Sequence, residues 1–375
     1  MSFDIHLSQP ELFENDFDFL KNIEENKFIK FSKDCISNFE DNLKNFSKSK
    51  YVVAMNSGTS SLHLGLLGIG LKPGDKVIVP TLTFAATAFP LKYLGVEPVF
   101  FDVSIDNWNL DLELLENYLK SLKQEEIPKA VIAVDLFGHT VDYDNLIQIC
   151  SNFDIKLVID AAESLGSRYN GKSNLNLGVF SITSFNNNKI ITSSGGGALF
   201  TDDYELSFFV RKLANQARES VHWYEHTEIG YNYRLSPILA GLGDMQLQKL
   251  PNYVKKRQQI RAAYSKILDS ISGLQIKKDA TWEKSNAWLT LLHMDPLIYP
   301  NCRDKLFESL AMASIECRFV WKPLHLQPVF SKNKKFLNGN SQKIYRESLC
   351  LPSSSNLSLS QVERVCDVII SSLKK

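Results

Sequence analysis

Short runs rich in valine and isoleucine recur through the first half of this chain. They are apolar along their whole length rather than alternating, which is typical of strands that are buried on both faces. Stretches with a helical period lie between them, for example 110–123 and 143–152. This order predicts an α/β fold in which helices cover both faces of one sheet. The predicted strands are Tyr51–Ala54, Lys76–Val79, Pro98–Phe101, Ala130–Val134, Lys156–Asp160, Phe180–Ser184 and Gly197–Phe200.

Two charged residues follow or end predicted strands, where ligands bind in sheets of this type. Lys189 lies in a loop before the glycines 195–197. A lysine that is desolvated there loses its proton more readily, and a neutral amine can attack an aldehyde to form a Schiff base. Asp160 ends an apolar run and could pair with a pyridinium nitrogen. A loop lysine alone is more often a solvated surface residue, so the interpretation depends on its companions.

Two further segments follow predicted strands. The turn Asn56–Ser61 stands between a strand and an apolar stretch, 62–71, and is rich in hydroxyl groups and glycine. Such a turn gathers free N–H groups around a phosphate, although a simple N-capped helix has the same composition. Phe84, in the segment 81–87, could stack on a flat cofactor ring or be an ordinary core aromatic.

Composition restricts the classes of partner. The 375 residues carry 42 basic and 42 acidic side chains, which gives no electrostatic reason to expect nucleic acid or an acidic membrane. The six cysteines are scattered without a C-x-x-C pair, as in a reduced protein without a zinc site. The first residues do not resemble a signal peptide, and no apolar run is long enough to cross a bilayer. We expect a cytoplasmic protein without bound metal.

The character of the sequence changes after Gly230–Leu235. A long helical stretch from 236 to 268 follows, which Pro251 is expected to kink or divide. We therefore predict a large cofactor-binding domain at 1–250, which includes an N-terminal segment that wraps onto the core. A smaller C-terminal domain is predicted at 251–375.

Six motifs lie along the chain, Asn56–Ser61, Pro80–Phe84, Asp160–Gly166, Ser184–Lys189, Gly230–Leu235 and Trp321–Pro328. Together they resemble the sugar aminotransferases of the DegT/DnrJ/EryC1/StrS family and occur in that family's order. The resemblance implies the aspartate aminotransferase fold (pyridoxal-phosphate fold type I). In that fold a large domain with a mainly parallel mixed sheet, covered by helices, is joined to a smaller C-terminal α/β domain.

The resemblance also assigns roles around pyridoxal 5'-phosphate. Lys189 would bond the cofactor and move the proton, and Asp160 would hold the pyridinium N–H. Glu163 would lie by the phenolic oxygen, and Phe84 would cover the ring. Asn232 would reach the phosphate from the neighbouring subunit, so the resemblance implies a homodimer with shared sites. The phosphate would contact Ser57, Gly58, Thr59 and Ser184, and the substrate would contact Thr83, Asn188, Arg234 and His325.

One departure from the family pattern bears on the substrate. Many members carry a glutamate after the lysine, where this chain has Ser193–Gly197. Glycine there resembles the branch that aminates UDP-linked 4-keto-6-deoxy-N-acetylhexosamines at C4 on the way to bacillosamine, with glutamate as amino donor. Lys189 argues against the family's dehydratases, which have histidine at that place. A dTDP-sugar C3 or C4 aminotransferase, another pyridoxal-phosphate sugar enzyme and a non-catalytic relative stay open as alternatives.

The histidines have simpler interpretations beside the functional ones. His139, in a loop near the predicted site, is more often a satisfied loop residue than a catalyst. His222 and His226 have the spacing of helical metal ligands, but no third ligand accompanies them. His325 could contact substrate across the domain interface or pack among its neighbouring prolines.

Overall fold

The protein is described by a computed structural model that covers residues 3–22 and 28–373. Its strands are β1 Tyr51–Met55, β2 Lys76–Pro80, β3 Glu97–Phe101, β4 Ala130–Val134, β5 Lys156–Asp160, β6 Arg168–Tyr169, β7 Phe180–Ser184, β8 Gly197–Thr201, β9 Leu274–Ile276, β10 Glu283–Lys284, β11 Thr290–Met294, β12 Arg318–Phe319, β13 Lys335–Phe336 and β14 Ser348–Leu351. Its α-helices are α1 Phe28–Ser47, α2 Gly58–Gly68, α3 Phe89–Tyr93, α4 Leu112–Lys120, α5 Tyr143–Asn152, α6 Tyr204–Ala214, α7 Pro237–Leu268, α8 Cys302–Met312, α9 Asn340–Glu347 and α10 Leu359–Leu373.

The larger sheet has eight strands in the order β1-β8-β7-β5-β4-β2-β3-β13. Pairing is parallel from β7 through β5, β4, β2 and β3 to β13, and antiparallel where β8 meets β7 and β1. The predicted strands all lie in this sheet with ends shifted by a residue at most. Its strands are almost entirely buried and pack on apolar clusters on both sides, which confirms a mainly parallel sheet covered by helices.

The C-terminal part of the chain forms a second sheet, antiparallel, in the order β12-β14-β11-β9. Helices α8 and α10 pack on it, and α7 contributes Ile260 and Tyr264 to the same apolar cluster. The expected smaller α/β unit is therefore present. One short strand from this part of the chain, β13, pairs instead with β3 of the larger sheet.

Pro251 does not divide the long helix, which runs as one element from Pro237 to Leu268. A proline removes one N–H donor and displaces the preceding turn. Leu247, Leu250 and Tyr253 are buried on both sides of the proline, and their packing keeps the two halves of the helix continuous. The division between domains at 250 stays a prediction, and α7 continues past that position.

The observed bounds of two helices can be compared with the predicted ones. The helix expected over 110–123 is shorter, Leu112–Lys120, because the Asp111 carboxylate accepts a hydrogen bond from the Leu114 N–H and starts it there. The helix expected over 143–152 has those bounds.

The N-terminal segment, residues 3–10, lies against the C-terminal part of the chain. Ile5 and Leu7 are buried, and the Ile5 carbonyl accepts a hydrogen bond from the Glu316 N–H at 2.8 Å. The Leu7 carbonyl accepts another from Ser353 at 2.7 Å. Within the described part of the chain, no helix combines the length and the hydropathy that a membrane span requires.

Candidate active site

A cavity of about 590 Å³ opens at the carboxyl edge of the larger sheet. The ends of β5 and β7, the turn after β1 and the loop before Lys189 form most of its wall. Trp288, Arg318 and Trp321 close it from the C-terminal part of the chain. The predicted site residues that line it are Ser57, Gly58, Thr59, Thr83, Phe84, Asp160, Glu163, Ser184, Asn188 and Lys189.

Lys189 projects into this cavity and is largely buried, with 13% of its side chain exposed. Its Nζ lies 3.7 Å from Glu163 Oε1 and 4.0 Å from the centre of the Trp288 ring. Burial lowers the pKa of Lys189, while the charges of Glu163 and Asp160 raise it. These opposed effects favour a side chain that can exist both as an amine and as an ammonium.

Asp160 ends β5 with its carboxylate facing the cavity. Thr87 Oγ1 donates a hydrogen bond to Oδ2 at 2.8 Å, and the Ala162 N–H donates to Oδ1 at 3.1 Å. Burial raises the pKa of Asp160, and the two hydrogen bonds and the Lys189 charge lower it. Thr87 in turn shares a hydrogen bond of 2.9 Å with Thr83, which holds three polar side chains in a row.

Glu163 occupies the turn after β5 and is fixed by two donors. The Phe137 N–H donates to its Oε2 at 2.6 Å, and Trp321 Nε1 donates to its Oε1 at 3.4 Å. Burial raises the pKa of Glu163, and the Lys189 charge lowers it. Its carboxylate is therefore held next to the lysine rather than turned to solvent.

The turn after β1 caps the following helix and also lines the cavity. Ser57 caps α2, since its Oγ accepts a hydrogen bond from the Ser60 N–H at 3.0 Å. Gly58 then packs closely on β7, because a Cβ there would lie 3.2 Å from the Ser184 Cβ. The amino end of α2 and Thr59 consequently face the cavity beside Ser184, as an anion site at a helix start requires.

Phe84 is not a core residue, because 58% of it is exposed and it lines the cavity mouth. Its ring lies 5.9 Å from the Trp321 ring. The alternative of an ordinary core aromatic is wrong for this position.

Three predicted residues lie outside the cavity of their own chain. Asn232 is exposed, and Arg234 lines a separate cavity of about 440 Å³. His325 is buried, with Nδ1 2.7 Å from Thr81 Oγ1 and Nε2 3.0 Å from Gln342 Nε2. Both ring nitrogens of His325 are thus engaged, which matches the packed-histidine alternative rather than a substrate contact.

The other histidines also have structural partners. His139 is buried, and its Nδ1 lies 2.8 Å from Glu283 Oε1. Asp279 completes a cluster of potential metal ligands there, but Arg261 already pairs with it at 2.6 Å. His226 lies outside the helices, and its Nδ1 is 2.8 Å from the Gln216 carbonyl.

Residues 11–370 match the profile of the DegT/DnrJ/EryC1/StrS aminotransferase family. The chain belongs to this family. It is 37% identical to EpsN of Bacillus subtilis (strain 168), provisionally named a pyridoxal phosphate-dependent aminotransferase, over 98% of this chain and 95% of the relative. A UDP-4-amino-4,6-dideoxy-N-acetyl-beta-L-altrosamine transaminase of Campylobacter jejuni (strain 81-176) is 32% identical over 91% of this chain and 90% of the relative. Helicobacter pylori PseC, an aminotransferase involved in the biosynthesis of pseudoaminic acid, has a TM-score of 0.88 at 25% identity and covers 100% of both chains.

The protein is therefore a pyridoxal-phosphate-dependent nucleotide-sugar aminotransferase, and the cavity fits that cofactor. A phosphate suits the amino end of α2, where first-turn N–H groups have no carbonyl partner within the helix. A protonated ring nitrogen suits Asp160, for which the described residues provide hydrogen-bond donors but no ion pair. An aldehyde suits the desolvated amine of Lys189.

Proposed function

We propose that this enzyme transfers the amino group of glutamate to C4 of a UDP-linked 4-keto-6-deoxy-N-acetylhexosamine. The observation that carries the proposal is the placement of Lys189 between Glu163 and Trp288, in one cavity with Asp160. The UDP-sugar transaminase of Campylobacter jejuni supports the nucleotide. Gly195 and Gly196 line the cavity in place of the glutamate that many family members carry, which supports the C4 branch.

The proposed roles follow from the contacts of each side chain. Asp160 would hold the ring nitrogen, Ser57–Thr59 and Ser184 the phosphate, and Phe84 the ring face. When bound, the cofactor supplies an electron sink for the substrate carbon. Lys189 would move the proton at its Nζ, since burial and the neighbouring carboxylates pull its pKa in opposite directions. Thr83 and Asn188 would contact the substrate.

We further infer a homodimer in which Asn232 and Arg234 complete the partner's site. Asn232 follows an exposed arm, residues 221–229, in which every residue is exposed in one chain. Trp223, Tyr224 and Ile229 are 61%, 79% and 87% exposed. Apolar surface of this extent commonly marks an interface, and two-fold contacts are the usual form in soluble enzymes.

A substrate panel tests the proposal. The purified protein is incubated with pyridoxal 5'-phosphate, glutamate and UDP- or dTDP-linked 4-keto-6-deoxy sugars, and products are identified by NMR. We expect a UDP-linked 4-amino sugar, and a Lys189→Ala variant that folds but makes none, because it lacks the proton carrier. A dTDP-linked product or a 3-amino sugar would overturn the substrate assignment. Normal turnover by Lys189→Ala would overturn the mechanism.

A further inference from the structure

Trp288, which no sequence motif marked, contacts Lys189 directly. It is 1% exposed, and its indole face lies 4.0 Å from Lys189 Nζ. An indole face attracts a cation and is more effective when both groups are shielded from water. The acidic groups that act on Lys189 are Glu163 and Asp160, so Trp288 provides the aromatic wall of the same pocket.

The indole N–H of Trp288 is hydrogen-bonded to the backbone next to Lys189. Trp288 Nε1 donates a hydrogen bond to the Asn188 carbonyl at 2.9 Å. Ser8 Oγ, from the N-terminal segment, donates to the same carbonyl at 2.9 Å. Two donors from distant parts of the chain thus fix the carbonyl that directly precedes Lys189.

A buried arginine closes this arrangement into a ring of hydrogen bonds. Arg257, on α7, is 1% exposed, and its Nη1 donates to the Trp288 carbonyl at 2.6 Å. Its Nη1 and Nη2 both lie 3.3 Å from Ser8 Oγ. Burial lowers the pKa of Arg257 to about 10, and among the described residues its Nε has no hydrogen-bond partner. Within the described residues Arg257 forms no ion pair, although the charge of Glu11 raises its pKa, so its hydrogen bonds to the Trp288 carbonyl and Ser8 are what offset the cost of burying it.

We propose that Trp288 is a positioning residue for Lys189, held in place by Arg257, Ser8 and the Asn188 carbonyl. The indole face stabilises the Lys189 ammonium beside Glu163 whenever the side-chain nitrogen is not bonded to the cofactor. This inference rests on the role proposed for Lys189. It explains why residues 3–10 reach across to the loop before the lysine, since Ser8 orients that loop.

A matched pair of substitutions distinguishes the effect of the aromatic face of Trp288 from the effect of the volume that its ring fills. Trp288→Phe and Trp288→Leu leave similar room for water, but only phenylalanine presents an aromatic face. The readout is acetylation of Lys189 in the cofactor-free protein as a function of pH, followed by mass spectrometry. We expect the labelling midpoint of the leucine variant to lie about one pH unit below that of the phenylalanine variant. We also expect its kcat to be about ten-fold lower.

Trp108→Leu is the control, because Trp108 is also buried and faces a lysine, Lys277, outside the cavity at 5.9 Å. It should lower the melting temperature and leave the Lys189 midpoint unchanged. Coinciding midpoints for the two Trp288 variants would overturn the proposal. Because this labelling needs neither cofactor nor sugar, its failure is distinguishable from failure of the proposed transamination.

The Ser8 hydroxyl is tested separately. Ser8→Ala removes one of the two donors to the Asn188 carbonyl and should lower kcat several-fold with little change in melting temperature, whereas Ser8→Thr should restore kcat. Wild-type kcat in Ser8→Ala would remove the N-terminal segment from the proposed arrangement.

Discussion

At the scale of single residues, Asp160 shows how much a strand end can predict. Its position after a buried apolar run placed it correctly at the cavity edge. Thr87, which donates to its carboxylate, carried no sequence signal, because a threonine in a turn has many partners available. Trp288 has no motif in the sequence for a different reason. It lies more than a hundred positions from Glu163 in sequence, and only tertiary packing brings it to the lysine.

Removing the charge of Asp160 tests its proposed role in catalysis. Asp160→Asn keeps the shape of the side chain, and we expect turnover to fall at least about 100-fold. The basis is that loss of a buried charge partner costs about 3–5 kcal/mol. The measurement is kcat with saturating pyridoxal 5'-phosphate. Thr87→Val is the control, since it removes one donor and leaves the carboxylate, and its loss should be smaller. Equal activity of Asp160→Asn and wild type would contradict the role.

The same substitution has an expected effect on stability that depends on pH. Burial raises the pKa of Asp160 in the folded protein above its ordinary value of 3.8. The folded state then binds the proton more tightly than the unfolded state, so stability falls as pH rises from 3.8 through the folded pKa. Cofactor-free Asp160→Asn should therefore unfold at a higher urea concentration than wild type at pH 7 and lose this advantage below pH 3.8.

At the scale of elements, the loop after β4 shows a constraint that sequence does not reveal. Gly138 has φ +97°, and a Cβ there would lie 2.0 Å from Asn286 Oδ1. That oxygen accepts a hydrogen bond from the Trp288 N–H at 2.9 Å. The Asn286 amide donates to the carbonyls of Glu163 and Leu165, each at 2.9 Å. One asparagine thus ties the turn after β5 to the segment before β11.

Gly138→Ala should disturb this connection. We expect the free energy of unfolding to fall by about 2–4 kcal/mol, from a left-handed backbone that alanine disfavours together with the overlap on Asn286. Gly171→Ala is the matched control, because its φ is +76° and nothing lies within 4 Å of the added Cβ. Urea denaturation should show a clearly smaller effect at Gly171. A loss at Gly138 no larger than that at Gly171 would contradict the packing argument.

Helix α7 and strand β13 mark the limits of pattern reasoning for whole elements. Local propensity predicts a kink or a division at Pro251, but the helix is not divided there, because burial of the flanking turns outweighs one lost hydrogen bond. Strand β13 spans two residues and has no periodicity to detect. The Asp102 carboxylate, which accepts from the N–H groups of Gly339 and Ser341 at 2.9 and 2.8 Å, holds the following segment next to β3.

At the scale of the whole molecule, residues that the proposed mechanism requires in one site lie apart within a single chain. Asn232 and Arg234 resemble site residues in sequence, yet both lie outside the cavity of their own chain. A second copy would resolve this separation if it carried its exposed arm to the partner's cavity. The sequence could suggest this only through the family resemblance, since no pattern within one chain reports a two-fold axis.

Subunit mixing tests the shared site. Lys189→Ala and Asn232→Ala should each be inactive or impaired as homodimers. In a heterodimer both defects fall in one site, and the other site receives Lys189 from one subunit and Asn232 from its partner. Random exchange at equal amounts gives heterodimers as half of all dimers, each with one whole site, so about a quarter of wild-type activity should return. Native mass spectrometry verifies exchange. Exchange without recovered activity would place Asn232 in its own subunit's chemistry or outside the site altogether, and the exposed arm around Trp223 and Tyr224 would need another partner.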